Sequence, residues 1–339
     1  MVPLALLTGA AGQHSAGLFD DGSVLEFTLG GDLNELFSDR GEVPALHPVR
    51  LSIGDAPPAA IQAKVRGHFR KDKSNCSTPP LLLDLTGVSL PDGSPFAGQK
   101  KLKLVTPCQD DRFVVREYLV YQLYNQFTER SFRARLARVT FRDDRRPDKS
   151  RTMYCFLIED EEEMARRNRS TLLEKDLIRP ETTEKQQFLT MALFELMIAN
   201  TDWSVQYRQN IKLIGAPGGP VYTVPYDFDH SGIVGAPYAK PAEALQMSSI
   251  RERRYRGYCI KDPSEYDQAV GLFNSKKQQV MALYTGNNLI DDKYEENTRK
   301  YLEEFYVIIN SEKKRAQVLG YPCLETGTGN VVIRGLRKE

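Results

Sequence analysis

At 339 residues, with 41% hydrophobic and 27% charged side chains, the chain is long enough for two lobes around a cleft and ordinary in composition for a globular protein. Lys and Arg number 46 against 45 Asp and Glu, a formal charge of +1, so no global field draws it to nucleic acid or an acidic membrane, and charge-based recognition has to be local. No apolar run is long enough to span a bilayer, and Cys76, Cys108, Cys155, Cys259 and Cys323 contain no C-x-x-C spacing, which excludes a zinc ribbon and a thioredoxin-like redox pair.

Residues 1–22 read as an N-terminal tail or the remnant of a signal peptide: Leu4 to Leu7 is apolar and Gly9-Ala10-Ala11 supplies small residues, although the basic start of such a signal is missing. On that reading an exported setting, periplasmic or secreted, is favoured over the cytoplasm. From residue 23 the chain is β-prone. Short runs at 24–29, 49–53, 61–65, 81–85, 101–105, 136–141 and 152–158 are separated by Gly, Pro, Asp and Ser clusters, which predicts an antiparallel meander. One helix interrupts it, with Asp110 or Asp111 as cap and Val115, Leu119 and Leu123 as an apolar stripe. The acidic run Glu159 to Glu163 reads as a hinge or a solvated face. Beyond it helices prevail. A capping-box pattern at Thr183 to Gln186 precedes Phe188, Ala192, Leu196 and Ala199 on one face, and further helical stretches run from Pro263 to Leu283 and from Tyr294 to Ile309. The expected fold class is α+β and bilobal, a β-rich N-terminal lobe over 23–163 and a helical C-terminal lobe over 164–339.

The chemistry is concentrated between Asn200 and Gly232. A buried helix ends, and the loop Asn200-Thr201-Asp202-Trp203 presents Asp202. Asn210 leads into one strand, Pro217-Gly218-Gly219 reverses the chain, and a second strand delivers Asp227 and Asp229 in Pro225-Tyr226-Asp227-Phe228-Asp229, so the hairpin returns both carboxylates toward Asn210. Such a cluster suits Mg²⁺ or Mn²⁺, which takes oxygen ligands and completes its shell with water and substrate phosphates. In phosphoryl transfer one carboxylate acts on the attacking hydroxyl while others hold metal. Asp202 fits the first role, and Asn210, Asp227 and Asp229 fit the second. In Lys101-Leu102-Lys103-Leu104 the two lysines share a strand face, and one of them, Lys103 for preference, can reach nucleotide phosphates with Glu117 on the next helix to steady it. Arg66 is a further phosphate partner, because guanidinium forks match phosphate oxygens.

The order Asp…Asn, hairpin, Asp-Phe-x resembles the catalytic loop and metal-binding turn of protein-kinase-like folds, and the form here is most similar to the spore-coat-protein-H (CotH) kinase-like family. Arg66-Gly67-His68-Phe69-Arg70 and Asp110 to Arg116 resemble that family's upstream motifs, so the likeness covers roughly residues 60 to 235. It implies a bilobal kinase-like fold, ATP, Mg²⁺ and transfer of phosphate to Ser or Thr of a protein substrate. The sequence departs from ordinary kinases in the longer Asp202 to Asn210 interval and in lacking Gly-x-Gly-x-x-Gly and Val-Ala-Ile-Lys. Those departures keep two alternatives open, a nucleotide- or partner-binding module without turnover and nucleotidyl transfer from the same acids. Nucleic-acid binding is disfavoured by the near-zero charge and the absence of interleaved aromatics. Trp203 reads as a packing residue beside Asp202, His68 and His230 as core or surface residues too isolated for a metal site, and Arg251 to Arg256 as either a substrate-reading patch or a basic surface.

Overall fold

A computed structural model describes residues 17–91 and 93–321. The candidate signal remnant at Leu4 to Ala11 and Cys323 lie outside the described residues. Seven strands, β1 (Leu25–Gly31), β2 (His47–Ser52), β3 (Ala59–Val65), β4 (Leu81–Asp84), β5 (Lys101–Val105), β6 (Ala134–Asp143) and β7 (Arg151–Ile158), close into a barrel in the order β1-β2-β3-β4-β5-β7-β6. The expected antiparallel meander holds from β1 to β5 and for the β6–β7 pair, but β5 pairs with β7 rather than β6, and the sheet closes because β1 and β6 pair in parallel from Leu25↔Ala137 to Gly31↔Asp143. Closure leaves neither of those strands as an open edge. Alternation fills the interior: Phe27, Leu29, Ile61, Leu83, Leu102, Leu104, Val139 and Leu157 form one apolar core. A helix the sequence did not announce, α1 (Leu33–Ser38), is capped by Asp32 and adds Leu33 and Leu36 to that core.

The helix α2 (Asp111–Tyr124) is capped by Asp110, whose carboxylate accepts the Arg112 N–H, and it packs on β6 and β7 from outside the barrel. Its Val115, Leu119 and Leu123 belong to a second core, shared with the helices that follow. The acidic run is not a free connection. Asp160 caps α3 (Glu161–Arg167), and the three glutamates occupy its first turn, where negative charge meets the positive end of the helix dipole.

After α3 come β8 (Thr171–Leu172), α4 (Lys185–Ile198), β9 (Ile211–Gly215) and β10 (Tyr222–Pro225), and the three strands form a small sheet in the order β10-β9-β8. The capping box is shifted by one residue: the Glu184 carboxylate accepts from the Gln186 and Gln187 N–H groups, while the Thr183 hydroxyl donates to the Pro180 carbonyl at 2.7 Å. Every residue of α4 from Gln187 to Ile198 is buried, so it is a central helix rather than one with a single apolar face. It ends where Ala199 turns left-handed at φ 51°, which hands the chain to the Asn200 loop. Four more helices, α5 (Asp267–Ser275), α6 (Lys277–Ala282), α7 (Asp292–Asn310) and α8 (Glu312–Leu319), complete the described residues. The fold class is α+β, as expected, and no described helix is long and apolar enough to cross a membrane.

Candidate functional site

The hairpin register decides whether the acids meet. Pro225 pairs with Ile211 in the β9–β10 ladder, and the Tyr226 N–H donates to the Asn210 carbonyl at 3.0 Å, so Asp227 returns beside Asn210. Both residues sit in the left-handed region, Asn210 at φ 50° and Asp227 at φ 65°. Asn and Asp tolerate that region better than other non-glycine residues, and such strain gathers at functional sites.

Asp202 is held in place from several sides. The Asn210 amide donates to its backbone carbonyl at 2.7 Å and to its carboxylate at 3.1 Å. Gln209 reaches the other carboxylate oxygen at 3.4 Å. Beneath the loop the buried Arg256 guanidinium donates to the carbonyls of Thr201 at 2.6 Å and of Trp203, and the Trp203 indole N–H donates to the Asn200 carbonyl at 3.2 Å. Trp203 is thus a packing residue. Asp227 is placed differently. Its N–H donates to the Tyr121 hydroxyl of α2 at 2.9 Å, and no donor among the described residues reaches its carboxylate.

Burial, and next the charge of Asp229, push the Asp227 carboxyl up to about 6, against the pull of Arg70 and Arg66. Burial raises Asp202 as well, with His230 pulling down and Asp229 pushing up. For Asp229 burial acts in the same upward sense, but Arg70 holds it below the usual carboxylate range. The Arg70 Nε lies 2.9 Å and Nη2 2.8 Å from Asp229 Oδ2, which also accepts the Tyr238 hydroxyl at 3.0 Å. The same Nη2 lies 2.5 Å from Glu117 Oε2. One guanidinium is thereby shared by two buried carboxylates, and burial pushes Glu117 up to about 8 in spite of it.

This geometry revises the sequence-derived assignments. Asp229, expected as a metal ligand, is engaged by Arg70 and Tyr238, which leaves Asp227 and the Asn210 side-chain oxygen as the open oxygen donors. Among the described residues no three His, Cys, Asp or Glu side chains form a ready-made metal cage. One carboxylate and an amide oxygen nevertheless fit Mg²⁺, which uses few protein ligands and fills its shell from water and phosphate.

Glu117 does not pair with a strand lysine, because Arg70 has taken its carboxylate. Lys103 instead lies 3.1 Å from Glu161 and near the rings of Phe132 and Tyr226, at 5.9 and 5.7 Å. Lys212 of β9 joins the same carboxylate at 2.8 Å. Burial, then the nearby Arg66 charge, lowers the Lys103 pKa. Burial alone would raise Glu161, but Lys103 and Lys212 bring it down to about 2. Arg66 is close enough to act electrostatically on Asp227, Tyr226 and Lys103. Lys101 is exposed and stands opposite Asp84 in the β4–β5 ladder, at the outer end of its strand.

Arg70, Glu161, Lys212 and Tyr238 were not picked out from sequence. Lys212 is the second residue of β9, two positions after Asn210. Arg70 was visible only as the end of the Arg66 to Arg70 motif. The stretch Arg251 to Arg256 turns largely inward. Arg253 donates to the Met197 carbonyl at 3.4 Å and to that of Tyr301, and Arg256 braces the Asp202 loop, so neither is a substrate-reading surface. His230 is buried, its ring 5.6 Å from Phe69 and 5.7 Å from Tyr238.

No family model matches the chain, and no curated protein matches it. Among solved structures it is similar to the proinflammatory kinase CtkA of Helicobacter pylori, with a TM-score of 0.42 and 11% identity, over 66% of this chain and 90% of that one. A likeness of that degree establishes neither family nor activity for this chain.

Proposed function

We propose that the chain is an atypical kinase-like phosphotransferase that uses ATP and Mg²⁺ or Mn²⁺ and acts on Ser or Thr of a protein substrate. In this reading 23–163 is the nucleotide lobe and 164–339 the catalytic lobe. The observation that carries it is the contrast between two neighbouring acids: Asp202 is gripped by Asn210 and Gln209, while the Asp227 carboxylate meets no donor among the described residues. Asp227 is partly exposed, so its unengaged carboxylate is accessible to a ligand. Asp227 and the Asn210 side-chain oxygen would hold the divalent cation, which when bound neutralises charge on the phosphate oxygens. Asp202 orients the acceptor hydroxyl and takes up its proton; burial raises its pKa toward the range where a carboxylate does this well. Arg66, Lys103 and Lys212 supply positive charge for the nucleotide phosphates. The Cys76–Cys108 disulfide, together with the disulfide at Cys259, favours an exported setting.

A second reading, a nucleotide-holding module without turnover, is favoured by one observation: Glu161, and not Glu117, is the partner of Lys103. Incubation of the purified protein with ATP and Mg²⁺ or Mn²⁺, with and without a generic acceptor protein, separates the readings by intact mass. A gain of one phosphate supports the kinase. A gain of AMP would transfer the reading to nucleotidyl transfer, and ATP binding with no mass change would leave the holding module.

A further inference from the structure

A second concavity lies on the barrel, away from Asp202 and Asp227. Its walls come from α1, from the connection between β6 and β7, and from the turn around Lys73. Phe37 and Phe141, edge to face with centroids 5.7 Å apart, contribute apolar surface. The cavity holds about 600 Å³, within the roughly 300–1,000 Å³ of small-molecule sites.

Its charge is one-sided. Lys73, Arg146, Lys149 and Arg151 line it, and Lys73, Lys149 and Arg151 form no ion pair with any described residue. Arg146 donates to the Asn34 side-chain oxygen at 2.9 Å and has Asp143 only at 3.6 Å. Asp143, the acid in the lining, already accepts the N–H groups of Asn34 at 3.1 Å and Arg145 at 2.9 Å. Of the acids nearby, Asp144 pairs with Arg50 at 2.5 Å and Asp32 with Arg145 at 2.5 Å, while Asp72 and Asp148, next in sequence to Lys73 and Lys149, are exposed. In a chain of net charge +1, five cationic side chains against one acid in the lining of a single cavity call for an anion. The wall is also built. Arg40 donates to the carbonyls of Phe37, Lys71, Cys76 and Ser77, at 2.7, 3.1, 2.7 and 2.5 Å, which ties the end of α1 to the turn bearing Lys73. The Cys76–Cys108 bridge fixes the far side of that turn.

The structure assigns this cavity as a binding site for a small polyanion carrying at least two phosphate groups. Guanidinium forks and ammonium groups together match several phosphate oxygens, and two phosphates offset the charge of the unmatched side chains. The phenylalanines give an apolar part of the ligand a place to rest. A volume of this size encloses a small molecule rather than a duplex.

The probe is inorganic tripolyphosphate, titrated calorimetrically at physiological salt without divalent cations. Wild type should bind it, the exposed control pair Lys293→Glu/Lys313→Glu on α7 and α8 should bind it equally well, and the exposed pair Lys149→Glu/Arg151→Glu should lose at least about tenfold in affinity. A melting scan of each variant confirms that it folds. The assignment is overturned if the Lys149→Glu/Arg151→Glu variant binds like wild type, if Lys293→Glu/Lys313→Glu loses as much, or if sulfate at equal ionic strength binds as well, which would mark an adventitious ion only. It is overturned equally if a short nucleic-acid duplex or a polyglutamate peptide displaces tripolyphosphate at lower concentration. None of these outcomes depends on phosphoryl transfer at Asp202.

Discussion

Asp227 pairs a left-handed backbone with a raised carboxyl, and the two features call for different substitutions. Asn keeps the φ of 65° comfortable, whereas Ala adds roughly 1 kcal/mol of strain there. The folded pKa of about 6 lies above the ordinary 3.8, so the folded state binds the proton more tightly than the unfolded state. The stability linked to this group is fully present below the unfolded value and is lost as pH rises through about 6. Without divalent cation, Asp227→Asn should therefore be more stable than wild type at pH 8, by on the order of 1–3 kcal/mol, and nearly equal to it at pH 4. Urea unfolding at the two pH values reads this directly. An Asn variant weaker than wild type at pH 8 would mean that Asp227 is a structural turn residue. Asp202→Ala should behave otherwise, holding ATP with Mg²⁺ within about tenfold of wild type while losing nearly all transfer, because a group acting on the attacking hydroxyl contributes mainly in the transition state. The convergence of Asp202, Asn210 and Asp227 was legible in the sequence, since hairpin geometry is local. The capture of Glu117 and Asp229 by Arg70 was not, because Arg70 lies 159 positions from Asp229 and nothing local marks a buried guanidinium.

At the scale of elements, Arg70 joins three pieces of chain, the connection after β3, the helix α2 through Glu117 and the turn after β10 through Asp229. Arg70→Met leaves two buried carboxylates facing each other and should cost about 3–5 kcal/mol in chemical denaturation. Adding Asp229→Asn should return part of that loss, because one buried charge disappears. If the double variant is no better than the single one, packing rather than charge is what Arg70 supplies. Strand boundaries were largely legible here, β5 to the residue, because period-two alternation between turn residues is a local signal. The parallel seam between β1 and β6 was not, since it joins strands more than a hundred residues apart, and α1 is too short to show a period. The acidic run, read as a hinge or a solvated face, hid its ion pairs for a related reason: the Glu161 partners Lys103 and Lys212 come from strands on either side of it in sequence, and only the fold unites them.

Across the whole molecule, two apolar cores coexist, one inside the barrel and one among the helices, and α2 rests on the barrel wall while its buried residues belong to the helical core. Cys76 and Cys108 sit at this junction. Cys76 follows the turn that begins at Arg70, and Cys108 stands just before the Asp110 cap of α2, so their bridge ties the chain bearing Arg70 to the chain bearing Glu117. A sequence separation of 32 residues corresponds to roughly 3–4 kcal/mol of loop-closure entropy taken from the unfolded state, on the chain-entropy model. Cys76→Ala/Cys108→Ala should then lower stability by about that amount, and dithiothreitol should lower the melting temperature of wild type while leaving this bridge's share of the loss absent from the variant. Cys155 is buried within the barrel core and supplies an internal control, because its thiol should take iodoacetamide only after unfolding. Native protein kept free of reductant should accordingly label at none of Cys76, Cys108, Cys155 and Cys259, and unfolding it without reductant should add Cys155 alone among these four. Labelling at Cys76 or Cys108 before reduction would show that the bridge does not close in solution, and the case for an exported protein would lose its main physical support.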